Sequence, residues 1–326
     1  MQNSKIKKSN GLFVIYIIAI LLKDYIFPRI SYMANNYESS FSISIRDALL
    51  QFGILLTAAF IFFIVKYNNE RSQTVIEKRE RFDSFSSIIH WNHCSKFNIG
   101  LYVIIGTASY ISFQLFKNVY LVINYSITAN DVLIPLQQPS IEILPLVMLF
   151  LTYVIWAAFS EEFFYRSMLF GEILKRNRLF AYLFSVIIFA LAHNSVEQVI
   201  QSAFLAIVLC VVFEKTASIL PCIIIHIIYN TLGVINTYIY LPRYGILRYD
   251  FFTLTRYDYW LEAIKLCIMS VISFGMIIVL ISKMEKFIQQ KSENTVGKFD
   301  IMEIIVISTI FILGLLKFYV MVINSS

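Results

Sequence analysis

The apolar positions of this chain are gathered into long runs, near 11–27, 48–66, 99–124, 143–172, 179–196, 197–214, 218–240, 259–282 and 301–323. Most are about 17–25 residues long, enough to cross a ~30 Å hydrocarbon layer as helix. So many runs of spanning length cannot all be core helices of a soluble protein. The pattern predicts an all-α polytopic membrane protein with eight to nine, most simply nine, transmembrane helices.

Composition agrees with the pattern. Of 326 residues, 58% are hydrophobic and 15% charged, with mean hydropathy +0.71. A soluble domain carries about a quarter charged residues. Lysine and arginine are also unevenly placed. With a cytoplasmic N-terminus, the tail, the 66–97 loop, the 175–178 turn, Lys215 and the 283–298 loop lie on one side and hold 17 of them. The opposite connections hold five: Arg29, Arg46, Arg243, Arg248 and Arg256. The positive-inside rule therefore places the N-terminus in the cytoplasm and the C-terminus outside. The net charge of +6 follows from this bias and favours anionic lipid. It does not point to nucleic acid, because no basic stripe with interleaved aromatics lies outside the apolar runs.

Lys5, Lys7 and Lys8 before an apolar run resemble a signal peptide. No small-residue cleavage site follows, so an uncleaved first span is expected. The four cysteines, Cys94, Cys210, Cys222 and Cys267, show no paired spacing. Three lie in apolar runs and are expected to act as small hydrophobes, with no disulfide framework.

No soluble domain stands out. The longest polar connection, 67–97, is expected to form a cytoplasmic helix or hairpin at the membrane surface. Its "HWNHC" (His90, His93, Cys94) reads as an interfacial aromatic-polar segment, because His-x-x-His-Cys is a poor helical metal arrangement and no second ligand pair lies nearby. The loops 125–142 and 241–258 fall on the outer side, and the second is aromatic, as in a segment lying along headgroups. No internal repeat is found, which argues against an inverted-repeat transporter.

Ionisable groups inside the runs are few. Lys23, Asp24, Lys117, Lys265 and Lys317 can snorkel or pair near span ends. A second set lies deeper: Glu161, Glu162 and Arg166 in the fourth run, His193 in the fifth, and His226 with Asn230 in the seventh. Glu161 is 14 residues from Lys175, His193 is 15 from Arg178, and Asn230 is 15 from Lys215. At 1.5 Å per residue each distance is about 21–22 Å. Three helices are thus expected to bring polar groups to one layer. Glu162 and Arg166 are i and i+4 and can pair on one face. Glu161 is turned about 100° from that pair, toward a separate task. His226 and Asn230 share a face, as do Phe189 and His193.

A buried glutamate can serve as general base, and a histidine from a neighbouring helix can share or relay its proton. A second histidine and an asparagine amide can donate to a developing oxyanion. These are parts for hydrolysing a peptide bond inside the membrane. A polar glue between helices and an ion or substrate path use the same residue types, and side-chain chemistry alone leaves all three readings open.

The motifs narrow the choice. "EEFFYR" (161–166) resembles the Glu-Glu-x-x-x-Arg motif of the CPBP family, the CAAX-protease and bacteriocin-processing (Abi) membrane proteins. "FALAH" (189–193) resembles its Phe-x-x-x-His motif, and "HIIYN" (226–230), behind "SILPCIII", its His-x-x-x-Asn motif. The resemblance covers about 143–240. It divides the chain into an N-terminal membrane region, 1–142, with three spans and the cytoplasmic 67–97 loop; a CPBP-like core, 143–240, with four spans; and two C-terminal spans in 241–326.

The resemblance implies a CAAX-protease-type core and an intramembrane endopeptidase acting on a membrane-embedded or lipid-associated peptide or protein. Carried over by position, Glu161 activates water with His193, His226 and Asn230 form the oxyanion site, and Glu162 and Arg166 support the geometry. The preferred reading needs no cofactor. The metal reading takes a divalent ion, zinc, with Glu161, His193 and His226 as ligands, although no His-Glu-x-x-His is present. The functional alternative is a non-catalytic Abi-type regulator or immunity protein acting through a partner. Composition suggests a bacterial plasma membrane.

Overall fold

A computed structural model describes residues 18–19, 22, 40–77, 96–128, 143–193, 196–240 and 256–284. Among them every regular element is helical. Helix α1 is Ser40–Glu77 and α2 is Lys96–Thr128. Helix α3 is Ile143–Leu174, α4 Arg178–Leu191 and α5 Val196–Thr216. Helix α6, Ile219–Val234, continues as a π-turn to Tyr240, and α7 is Arg256–Ser282.

Six of these helices are long and apolar enough to cross a membrane, over Ala48–Asn68, Ile99–Lys117, Ile143–Leu174, Gln198–Thr216, Ile219–Thr237 and Ile264–Ser282. Helix α4 is apolar but has only 14 residues. Of the nine expected spans, six and one shorter apolar helix fall among the described residues. The runs at 11–27 and 301–323 lie largely or wholly outside them, as do "HWNHC" and most of the 241–258 loop. Helix α1 reaches Glu77, so the first third of the expected 67–97 loop is helical.

By internal contacts the chain divides into two units. The first holds the described residues of 1–93 and 156–223, the second those of 94–155 and 224–285.

In the first unit, α1 packs on the second half of α3. Phe163 stacks on Phe60 at 6.0 Å and meets the edge of Phe63 at 6.5 Å. The Trp156 indole donates to the Leu49 carbonyl, and at the other end Glu172 receives Lys66 at 2.7 Å and Lys175 at 2.8 Å. Helix α4 starts where the Asn177 side chain accepts from the Phe180 amide, a standard N-cap. It is tied to α5 by Arg178, which grips Glu214 with two bonds of 2.6 and 2.9 Å, and by Tyr182, whose hydroxyl donates to the same carboxylate. Phe170 of α3 wedges between Tyr182 and Phe213, joining α3, α4 and α5.

In the second unit α2 runs along α7, with Ser112 and Ser273 hydroxyls bonded at 2.5 Å. It also crosses α6 closely, at Gly106. A Cβ there would lie 2.9 Å from the Ile225 carbonyl and 3.0 Å from Ile228 Cβ. A residue without a side chain is what lets these two helices approach. Helix α7 turns Ile264, Ile268, Val271 and Ile272 outward, as a lipid-facing surface does. Several small hydroxyls within the apolar helices are satisfied locally: Ser109, Ser112, Thr231 and Ser270 each bond the carbonyl four residues back.

Candidate active site

Helix α3 is not a uniform α-helix. It is π-helical over Phe150–Trp156, α-helical over Ala157–Glu161 and π-helical again over Glu162–Phe170, where the Gly171 amide bonds the Arg166 carbonyl five residues back. The two glutamates straddle the second transition. π-turns inside α-helices recur at functional sites. Nothing in the residue pattern announces them, because they arise from backbone hydrogen-bond choice rather than apolar periodicity.

Glu162 and Arg166 pair as their spacing predicts. Arg166 Nε lies 3.3 Å from Glu162 Oε2, and both side chains are wholly inaccessible to solvent. The angle falls short of a hydrogen bond, and Arg166 Nε, Nη1 and Nη2 have no hydrogen-bond partner among the described residues. The cation has a second neighbour instead. Its Cζ lies 4.6 Å from the centre of the Phe189 ring. In a dry site such a cation–π contact contributes about 2 kcal/mol or more.

That contact joins two of the sequence motifs. Tyr165, next to Arg166, also meets Phe189 edge-on at 5.1 Å. Phe189 in turn meets the His193 ring at 5.3 Å, and the Phe189 carbonyl lies 2.9 Å from His193 Nδ1. Glu161 sits at the margin of this cluster, retaining 7% exposure where Glu162 and Arg166 retain none. His193, just past the end of α4, is half-buried.

His226 and Asn230 belong to the second unit. His226 is buried and Asn230 half-buried. The Asn230 amide Nδ2 donates to the Tyr153 carbonyl at 3.1 Å, in the first π-turn of α3. Because a carbonyl only accepts, this bond sets which way the amide faces and occupies one of its two N–H donors. In the same unit, Tyr110 and Tyr229 pack edge-on at 5.6 Å.

Sequence reasoning named Phe189 as sharing a face with His193 and as the first position of the Phe-x-x-x-His motif, gave it no role of its own, and did not single out Tyr165 or Tyr153. The first two are aromatic positions inside the motifs, so an aromatic beside a buried cation was the available signal. Tyr153 acts through its carbonyl, a group every residue has, and carries no signal. Among the described residues, no group of three or more His, Cys, Asp or Glu side chains is arranged to hold a metal ion.

The segment holding all three motifs matches a known family. The family model described as "Type II CAAX prenyl endopeptidase Rce1-like" matches residues 143–232. The chain carries an Rce1-like domain of the CPBP family. Comparison with curated proteins and with solved structures gave no match. The Rce1-like domain takes in α3, α4, α5 and nearly all of α6, so the buried Glu162–Arg166–Phe189–His193 cluster lies wholly within it. Together with the apolar helices, the domain supports an integral membrane protein that is an intramembrane protease.

Proposed function

We propose that this protein is an intramembrane endopeptidase in which Glu161 and His193 activate a water molecule and His226 and Asn230 stabilise the oxyanion. The observation that carries the reading is the buried cluster in which Arg166 pairs with Glu162 and lies on Phe189, which holds His193. This cluster sets Arg166 of the Glu-Glu-x-x-x-Arg motif against Phe189 of the Phe-x-x-x-His motif, which supports a joint role for their glutamate and histidine.

The water gives a proton to the Glu161–His193 pair as its oxygen bonds the scissile carbonyl carbon. The carbonyl oxygen becomes an oxyanion and accepts hydrogen bonds from His226 and the second Asn230 N–H. The carbon–nitrogen bond breaks, and the stored proton passes to the leaving amine. Glu162 and Arg166 keep the geometry and do not exchange protons with substrate. No step needs a metal. A zinc on Glu161, His193 and His226 would instead polarise the carbonyl and the water. On the metal-free reading, a chelator leaves cleavage unchanged, and loss of activity restored by zinc would overturn it.

The substrate class is a membrane-embedded or lipid-associated peptide or protein precursor, in a bacterial plasma membrane. The matched family's description names prenyl substrates; a hydrophobic segment reaching the site from the bilayer is the broader class. Purified protein in liposomes should cleave a hydrophobic reporter peptide. Glu161→Gln and His193→Ala should each lower kcat by about 10²–10⁴-fold without unfolding the protein. Full activity in both variants would sink the proposal. An uncut precursor accumulating in a Glu161→Ala strain would name the substrate. If the same variants keep the cellular phenotype, the protein acts as a partner-binding regulator.

A further inference from the structure

We propose that Phe189 is a positioning residue for His193, holding the imidazole with its proton on Nδ1 and presenting Nε2 as the nitrogen that accepts a proton. The inference rests on the protease reading for its kinetic consequence, whereas the proton's position is a property of the resting protein.

The argument starts at the end of α4. The last carbonyls of a helix lack intrahelical partners and are met by tighter turns or by side chains. Here the His193 amide bonds the Ala190 carbonyl at 3.1 Å, three residues back. The imidazole of the same residue meets the Phe189 carbonyl through Nδ1 at 2.9 Å. A carbonyl oxygen carries no proton, so Nδ1 is the donor. Neutral imidazole has one ring proton, and Nε2 is left with the lone pair.

The phenyl ring keeps this arrangement in place. It contacts the imidazole at 5.3 Å and is itself fully buried. Arg166 covers it at 4.6 Å and Tyr165 meets it edge-on at 5.1 Å. Turning Phe189 away would strip a buried guanidinium of its ring contact. The ring is therefore anchored from the glutamate motif and in turn limits the swing of His193. A base nitrogen displaced by an ångström can lose roughly 100-fold in rate, so a rigid neighbour is expected to act on kcat.

The test uses the full chain in lipid bilayers with ¹⁵N-labelled histidine, at a pH where the imidazole is neutral. The His193 signals are assigned by their loss in His193→Gln. The expected spectrum has the ring proton on Nδ1. In Phe189→Leu the two tautomers should mix, and kcat should fall roughly 10- to 100-fold with KM little changed. Phe184→Leu is the matched control. It removes the same ring from the same helix, at Phe184, which stacks on Phe180 at 5.4 Å, and should keep both tautomer and kcat. A wild-type proton on Nε2 overturns the proposal whether or not the protein cleaves peptide, and this holds even if Phe189→Leu fails to fold. A Phe189→Leu protein with a single Nδ1–H form and wild-type kcat overturns the positioning role. An intact Nδ1–H form in a protein that cleaves nothing would instead count against the protease reading.

Discussion

Arg166 is the residue whose environment is most demanding. It is a full cation with no solvent contact, held by one carboxylate and one aromatic face. Removing one member of a buried pair leaves the other charge uncompensated, which costs about 3–5 kcal/mol, whereas replacing both by apolar residues is often neutral. Arg166→Ala should therefore lower stability by about 3–5 kcal/mol, read as a thermal shift in detergent. Glu162→Leu with Arg166→Met should recover most of that loss while leaving the enzyme impaired, because the Phe189 contact is gone. If the double variant is no more stable than Arg166→Ala, the pair is not what holds this region. The pairing itself was legible in the sequence, since an i, i+4 spacing is a local geometric fact. The aromatic partner was not, because Phe189 is 23 residues from Arg166 and on another helix.

At the scale of elements, the close crossing of α2 and α6 is the feature most open to test. A methyl group at Gly106 would press on the Ile225 carbonyl, one residue before His226, and backbone cannot swing aside as a side-chain tip can. Gly106→Ala should lower stability by roughly 1–3 kcal/mol, the usual effect of overpacking. It should also reduce activity by shifting the turn that carries His226. At Gly53 and Gly100 an added methyl would meet nothing within 4 Å. Alanine at either should be neutral or stabilising by up to about 1 kcal/mol, since glycine is the poorer helix former. Denaturation of the three variants side by side separates a packing effect from a propensity effect. Comparable losses in all three would refute the crossing. Elements also mark where sequence reading stopped. Apolar runs located α1, α2 and α3 and separated α4 from α5. The π-turns of α3 and the Asn230 bond to the Tyr153 carbonyl left no mark on the pattern.

For the whole molecule, the unequal distribution of Lys and Arg yields a topology that labelling can check. In a chain without its native cysteines, Gln138→Cys should react with a membrane-impermeant maleimide on intact cells. Ser292→Cys should react only after the membrane is opened. The reverse pattern would invert the orientation. The sequence by itself determined the class of the protein, since spanning-length apolar runs, charge asymmetry and motif spacing are all properties of the chain taken in order. It also located the residues of the Rce1-like domain and the Glu162–Arg166 pair. Only the tertiary structure decided what those residues touch: Arg166 on Phe189, His193 against the Phe189 carbonyl, Asn230 on Tyr153, α2 against α6 at Gly106. The physical reason is range. Periodicity and i, i+4 spacing are set within one turn of one helix, whereas a cation over a ring or a carbonyl under an amide depends on how separate helices approach, and similar apolar surfaces permit many approaches.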